Sequence, residues 1–278
     1  MTLIVDAHHH LWQAGRGDYH WMSPDVPVLA RDYLAEDLRP ILRRAGVDRT
    51  IVVQAAQTEA ETDFLLTLAG EADFIAGVVG WLDFEDAAFT AKLDALLRRE
   101  KFVGLRPMLQ DLPDDDYLLR PTVLANLRHL AETGVAFDIL TFPRHLPVVL
   151  RMLDAVPDLR AVVDHLSKPP VASGELQGWA EDIARIAAHP NVFCKVSGLV
   201  TEARQTTWSP SDLAPYVRHV LDAFGADRLM FGSDWPVCLL AASYCEVLNA
   251  ARSILDPLLD ADGMAKVYGG NATAFYRL

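Results

Sequence analysis

The chain of 278 residues is rich enough in apolar side chains to fold around a sizeable core. Hydrophobic residues make up 51% of it and charged residues 23%, which excludes disordered and collagen-like classes. The formal net charge of −13 disfavours nucleic acid and anionic membranes as partners, so we expect a small-molecule ligand. The apolar runs are far shorter than the ~20 residues that span a bilayer.

The cysteines and the N-terminal residues bear on the compartment. Cys194, Cys238 and Cys245 fit no zinc motif and are interpreted as reduced thiols. The first residues contain no basic region followed by a long apolar stretch, so we expect a cytoplasmic protein. The sequence leaves open whether the chain forms homo-oligomers.

Eight apolar, β-branched runs recur at regular intervals along the chain. They cover residues 3–6, 50–54, 74–81, 102–106, 135–140, 160–165, 192–197 and 229–232. Their nearly continuous hydrophobicity is typical of parallel strands that are covered on both faces. Segments with helical spacing lie between them. This alternation predicts the α/β class and a single-domain (β/α)8 TIM barrel over residues 1–278.

Local signals mark helix ends and long connections. Thr58 followed by Glu61 predicts a capping box at a helix start, and Gly134 predicts a left-handed helix end. The connections over 13–32 and 109–121 are long for a compact domain. Long connections after strands commonly carry functional residues, so we expect both to border the site.

Polar side chains end most of the predicted strands. The carboxyl ends of barrel strands meet at one mouth, where reactive groups lie. His8 and His10 are two apart on an extended segment and project to the same side, whereas His9 is expected to pack on the other side. His165 ends the sixth strand and Asp234 follows the eighth. We therefore predict a catalytic site in which three imidazoles and a carboxylate converge.

Six further residues are candidates for substrate contact. They lie at predicted strand ends or in the first long connection and are Arg106, Gln54, Trp81, Trp12, Lys195 and Trp21. A planar guanidinium suits a carbonyl or vicinal hydroxyls, and indoles stack on the C–H faces of sugars. Structural alternatives remain open: Arg106 could form an ion pair, Gln54 could hold a loop, and Lys195 could fill the barrel.

Four motifs carry a resemblance to a known superfamily. They read VDAHHHLW at 5–12, DHLSKP at 164–169, CKVSGL at 194–199 and FGSDWP at 231–236. In this order they resemble the amidohydrolase superfamily, and within it the branch of sugar-acid lactonases that includes the L-fuconolactonases and L-rhamnonolactonases. The resemblance spans the whole chain. It implies a TIM-barrel hydrolase that opens the lactone of a six-carbon sugar acid.

The chain departs from the binuclear members of that superfamily. Those carry a carboxylated lysine after the fourth strand and a histidine after the fifth, whereas this chain has Arg106 and Asp138 there. Two metals are therefore not expected. The two histidines of the first strand, His165 and Asp234 could hold one zinc ion with an open position for water, or could act without metal. The sequence leaves both arrangements open.

Lactone hydrolysis needs an activated water, a polarised carbonyl and a proton for the leaving oxygen. Asp234 is the predicted general base. His8, His10 and His165 would polarise the carbonyl, either directly or through one metal ion. Two alternative functions stay open: a decarboxylase of an aromatic or enol acid on the same barrel, and a non-catalytic sugar-binding barrel.

Overall fold

The computed structural model describes residues 3–278 and contains one sheet of eight parallel strands in the order β1 to β8. The strands are β1 Val5–His9, β2 Arg49–Val53, β3 Ile75–Gly80, β4 Phe102–Leu105, β5 Ala136–Ile139, β6 Ala161–Val163, β7 Val192–Val196 and β8 Leu229–Phe231. A parallel bridge joins His9 to Trp235, just past β8, and brings the first strand beside the last. The predicted (β/α)8 TIM barrel is confirmed.

Helices follow the strands and surround the sheet. They are α1 Ala35–Ala45, α2 Glu59–Glu71, α3 Phe89–Leu96, α4 Pro121–Thr133, α5 Leu146–Ala155, α6 Trp179–Ala187, α7 Leu199–Glu202, α8 Pro210–Phe224, α9 Tyr244–Leu255, α10 Ala261–Ala265 and α11 Asn271–Tyr276. Within residues 3–278, none is both long enough and apolar enough to cross a membrane. As predicted, α4 ends at a left-handed residue, Gly134, with φ of 68°.

The first strand extends further than the sequence predicts. We expected it over 3–6, with the histidines beyond its end, but β1 includes His8 and His9. Its pairing with β2 is irregular between Asp6 and His9. The Asp6 carboxylate accepts a hydrogen bond from the hydroxyl of Tyr244 on α9, outside the sheet. The irregularity therefore directs Asp6 away from the mouth and leaves His8 facing it.

Buried side chains divide the barrel interior into tiers. Apolar residues of the strands form the lowest tier, and Phe275 and Tyr276 of α11 pack into it. Above them lies a tier of buried charged groups that includes Asp138, Asp164 and Lys195. The histidines lie above the charged tier, at the carboxyl ends of the strands. A larger apolar layer between sheet and helices holds this arrangement in place.

Candidate active site

The four predicted site residues meet at the mouth of the barrel. The Oδ1 atom of Asp234 lies 3.4 Å from Nε2 of His10, 3.8 Å from Nε2 of His165 and 3.9 Å from Nε2 of His8. The Nε2 atoms of His8 and His10 are 3.3 Å apart. All four side chains are buried. One carboxylate oxygen therefore faces three imidazole nitrogens from two other strands.

Hydrogen bonds at the far side of each ring fix its orientation. Nδ1 of His10 lies 2.8 Å from the carbonyl oxygen of Val53, which can only accept, so Nδ1 donates and Nε2 faces Asp234. Nδ1 of His165 lies 2.8 Å from Oγ of Ser197. Nδ1 of His8 lies 3.1 Å from Nζ of Lys195, which can only donate, and 3.3 Å from Oδ1 of Asp164. His9 points away from the site, to Thr50, as expected.

A glycine allows the ring of His165 to occupy its position. A Cβ atom at Gly198 would lie 2.5 Å from Nδ1 and 2.6 Å from Cγ of that ring. Gly198 also has φ of 64°, in the left-handed region that favours glycine. The residue at this position, after β7, therefore determines where His165 can lie.

Charged residues below the histidines compensate one another. Nζ of Lys195 lies 2.5 Å from Asp138 and 2.9 Å from Asp164. Nη1 of Arg106 lies 3.2 Å from Asp164 and 3.4 Å from Nε2 of His8. Buried charges persist only when paired in this way. The tier thus supplies two cations against two carboxylates beneath His8.

Burial keeps two imidazoles neutral and the carboxylate ionised. Burial lowers the pKa of His165 to about 4 and holds the pKa of His8 well below its ordinary value, despite nearby carboxylates. Burial by itself would raise the pKa of Asp234. Charge interactions with His165 and His10, together with a hydrogen bond from His10, outweigh the effect of burial and place the pKa of Asp234 below its ordinary value. Near neutral pH the site holds a carboxylate beside neutral rings.

The donor atoms fit a single metal ion. Tetrahedral zinc with ligand distances of 2.0–2.2 Å separates its ligand atoms by about 3.3–3.6 Å. The spacings of 3.3 Å between His8 and His10 and of 3.4 Å between His10 and Asp234 match this range, whereas Asp234 lies 3.8 Å from His165 and 3.9 Å from His8. The hydrogen bond that orients His10 is of the kind found behind metal-binding histidines.

A cavity of about 200 Å³ opens above the four residues. Its volume lies below the roughly 300–1,000 Å³ of pockets for drug-sized ligands, so it suits one small ring. Three of the residues predicted to bind substrate line it: Trp12, Trp21 and Arg106. The indole N–H groups are not free for sugar hydroxyls, because Trp12 donates to the carbonyl of Arg31 and Trp21 to that of Ala55. The two indoles therefore offer carbon surface.

Three other candidates for substrate contact do not line this cavity. Gln54 is fully buried, and its side-chain amide donates to the backbone carbonyl of Arg106, 2.6 Å away. The backbone carbonyl of Gln54 accepts in turn from the guanidinium of Arg106. Lys195 is fully buried in the charged tier. Trp81 is half-buried and its backbone N–H donates to Thr62. Gln54 and Lys195 thus follow the structural alternatives, one positioning Arg106 and the other filling the barrel.

Glu61 has a different role from the predicted capping box. Oγ1 of Thr58 accepts from the N–H of Glu61, but the Glu61 carboxylate accepts from Ala55 at 3.0 Å and Ala56 at 2.7 Å. Ala55 in turn holds the indole of Trp21. Burial raises the pKa of Glu61 to about 7. The box is half-formed because this carboxylate anchors the connection after β2.

Sequence reasoning missed partners of the predicted residues. A lysine in a buried strand needs counter-ions, and that signal would have assigned Asp138 and Asp164 to Lys195. Lys168 also lines the cavity, although the sequence marks it only as part of a motif. Ser197 orients His165 through a hydroxyl that no spacing rule singles out.

Comparisons with known proteins identify the family of this chain. The amidohydrolase family matches residues 5–278. The chain belongs to that family. A relative named L-fucono-1,5-lactonase from Burkholderia ambifaria is 45% identical, with alignment over 100% of this chain and 97% of the relative. A second protein of that name, from Burkholderia multivorans, is 38% identical over 100% of this chain and 97% of its own length.

Solved structures of a similar amidohydrolase bear on the metal. Crystal structures of an amidohydrolase from Burkholderia multivorans, one with bound zinc and one with bound HEPES, superpose on this amidohydrolase with a TM-score of 0.94. Sequence identity is 38%, and the match covers 99% of each chain. The family prediction from the four motifs is confirmed.

Proposed function

We propose that this amidohydrolase hydrolyses the lactone of a six-carbon sugar acid, such as an L-fucono- or L-rhamnonolactone. The observation that carries the proposal is the approach of one Asp234 carboxylate oxygen to within 3.9 Å of three imidazoles, inside a small cavity with indole walls. Two full-length relatives with the name L-fucono-1,5-lactonase support the substrate class. The enzyme is then a carboxylic-ester hydrolase.

Asp234 acts as the general base in the proposed reaction. Its carboxylate takes a proton from water while the water oxygen bonds to the lactone carbonyl carbon. The bond from that carbon to the ring oxygen then breaks, and the same proton passes from Asp234 to the departing oxygen. The product is an open-chain hydroxy acid, which ionises near neutral pH. The carboxylate of Asp234 is regenerated for the next cycle.

Neighbouring side chains polarise and hold the substrate in this proposal. The imidazoles of His8, His10 and His165 polarise the carbonyl, either directly or through one bound metal ion. Arg106 lines the cavity and donates to the substrate. Trp12 and Trp21 pack their carbon surfaces against the C–H faces of the sugar ring.

One divalent cation, zinc, fits this proposal. His8, His10, His165 and Asp234 would hold it, and it would supply Lewis-acid polarisation of the carbonyl when bound. Support comes from the donor atoms of His8, His10 and Asp234, which lie within 4.8 Å of one another, and from the zinc-bound structure of a similar amidohydrolase.

The partner is proposed to be a small sugar lactone and the compartment the cytoplasm. The net charge of −13 disfavours polyanions as ligands. Cys194, Cys238 and Cys245 are all free, as suits a reducing compartment.

Asp234→Asn tests the general base. Asparagine keeps the shape but cannot accept the proton, so we expect kcat to fall at least ~100-fold on the best lactone of a panel followed by acid release. Asp222→Asn, at an exposed carboxylate of α8, removes the same charge and should keep wild-type turnover.

Other outcomes of the same assay would reject the proposal. Carbon dioxide release from an aromatic or enol acid, with no acid release from any aldonolactone, would favour a decarboxylase. Lactone binding without turnover in the wild type would indicate a sugar-binding barrel.

A further inference from the structure

The segment after β6 has an unusual backbone. His165, Leu166, Ser167 and Lys168 all have positive φ, between 50° and 56°. Each non-glycine residue in this region costs roughly 1–2 kcal/mol, and runs of them are rare. The N–H of Lys168 donates to the carbonyl of His165 at 2.7 Å and closes the turn. We call residues 165–168 the left-handed turn.

Buried side chains hold the left-handed turn in place. The indole of Trp179 donates to the carbonyl of Leu166 at 2.7 Å. The hydroxyls of Ser167 and Thr141 are 2.8 Å apart. Strained backbone that is fixed by several contacts is concentrated at functional sites. The turn presents its first and last side chains, His165 and Lys168, to the cavity.

Lys168 differs from the other cations near the site. Arg106 and Lys195 are held by Asp164. Within residues 3–278, by contrast, no carboxylate lies within 4.0 Å of Nζ of Lys168, which faces the ring of Phe142 at 5.1 Å. The half-buried Lys168 lines the cavity. Its ammonium is therefore available to a ligand there.

The proposed reaction creates a negative charge in that cavity. A lactone is neutral, whereas the opened acid is a carboxylate, and it forms beside the carboxylate of Asp234. Like charges at short distance repel, so an uncommitted cation in the cavity stabilises the charge as it develops. Lys168, which lines the same cavity as Asp234, has this property.

We propose that Lys168 is a further catalytic residue, whose ammonium binds the substrate carboxyl group as the lactone opens. This inference rests on the proposed function. It explains why a lysine occupies a left-handed position that glycine or asparagine would fill with less strain. Binding of an anion by Lys168 favours the transition state and the product over the neutral lactone.

Three variants at one position test the role of Lys168. Lys168→Met and Lys168→Asn should lower kcat/KM on the active lactone about 100-fold, and Lys168→Arg should restore most of it. The inhibition constant of the product aldonate should rise at least about 10-fold in the methionine and asparagine variants. Because asparagine tolerates positive φ, the unfolding midpoint of Lys168→Asn should equal or exceed that of the wild type.

Lys101→Asn is the matched control. Lys101 also has positive φ, 64°, but its ammonium bonds the carbonyl of Ala69 and does not line the cavity. We expect wild-type kcat/KM and aldonate inhibition from it.

The outcomes separate the two proposals. If the wild type hydrolyses no lactone, the proposed function fails. If the wild type is active and Lys168→Met leaves kcat/KM and aldonate inhibition within twofold, the inference on Lys168 is overturned alone. A lower unfolding midpoint in Lys168→Asn with unchanged aldonate inhibition would also overturn it, because the lysine would then be structural.

Discussion

Gly198 leaves the space that the ring of His165 needs, and this makes the glycine testable. Gly198→Ala places a Cβ within 2.6 Å of that ring, so the imidazole must move. A displacement of about 1 Å at a reacting group can cost ~100-fold in rate, and we expect a loss of that size in kcat/KM on the active lactone.

Gly174→Ala separates displacement of the ring from backbone strain. Gly174 has φ of 75°, similar to the 64° of Gly198, but a Cβ atom added there would meet no other atom within 4 Å. Both variants should lose thermal stability to backbone strain, Gly198→Ala more because of the contact with His165, while only Gly198→Ala loses activity. Equal activities of the two variants would show that the position of His165 does not depend on Gly198.

The imidazole and carboxylate donors also predict the result of metal analysis. We expect protein from zinc-supplemented cells to retain up to one equivalent of zinc, measured by emission spectroscopy, and to lose it on chelation. His10→Ala removes a proposed ligand whose Nε2 lies 3.4 Å from Asp234, so the affinity for zinc should fall by more than the about 10- to 100-fold that loss of an outer-shell partner costs. Equal zinc content in His10→Ala and the wild type would place the ion elsewhere.

At the scale of elements, the connections after β1 and β2 support each other at the cavity wall. Trp21, from the first, donates its indole N–H to the carbonyl of Ala55 in the second, 2.7 Å away. Trp21→Phe keeps an aromatic ring and removes this bond. A neutral hydrogen bond contributes about 1 kcal/mol, so we expect KM to rise about 3- to 10-fold with kcat nearly unchanged.

Trp208→Phe provides the comparison for Trp21→Phe. Its indole N–H also donates to a backbone carbonyl, that of Ala241 at 2.9 Å, but it does not line the cavity. Its KM should match the wild type. A parallel fall of kcat in Trp21→Phe would show that the wall also positions the reacting groups.

Sequence patterns predicted the strands because burial on both faces imposes a continuous apolar run. They predicted His8, His10, His165 and Asp234 because strand ends converge in a barrel. They could not predict that β1 is irregular near Asp6, since one extra residue in a strand leaves no compositional mark. Nor could they predict the left-handed turn, because glycine is the residue that signals positive φ and none occurs from 165 to 168.

At the scale of the whole molecule, Glu61 couples folding to pH. Burial raises its pKa from 4.5 to about 7, so the folded protein keeps a proton that the unfolded chain releases between these values. The contribution of Glu61 to stability therefore declines as pH rises from about 4.5 to 7, by an amount on the order of 3 kcal/mol. Glu61→Gln removes the titration.

Urea unfolding between pH 4.5 and 8 measures this effect. The free energy of unfolding of the wild type minus that of Glu61→Gln should fall through the window and level off above pH 7. Glu71→Gln, at an exposed carboxylate of the same helix, should keep the wild-type pH dependence. A constant difference between the wild type and Glu61→Gln would mean that Glu61 is already ionised at pH 5.

The packing of α11 into the barrel bears on how molecules enter and leave the site. Phe275 and Tyr276 fill the lowest tier, and the Tyr276 hydroxyl reaches Asp138 in the charged tier. Within residues 3–278, the cavity is lined by residues of the connections over 13–32 and 109–121, so reactant, solvent and released acid pass through the opening on that side. A compound large enough to block that opening would therefore exclude all three and inhibit the enzyme without resembling a sugar.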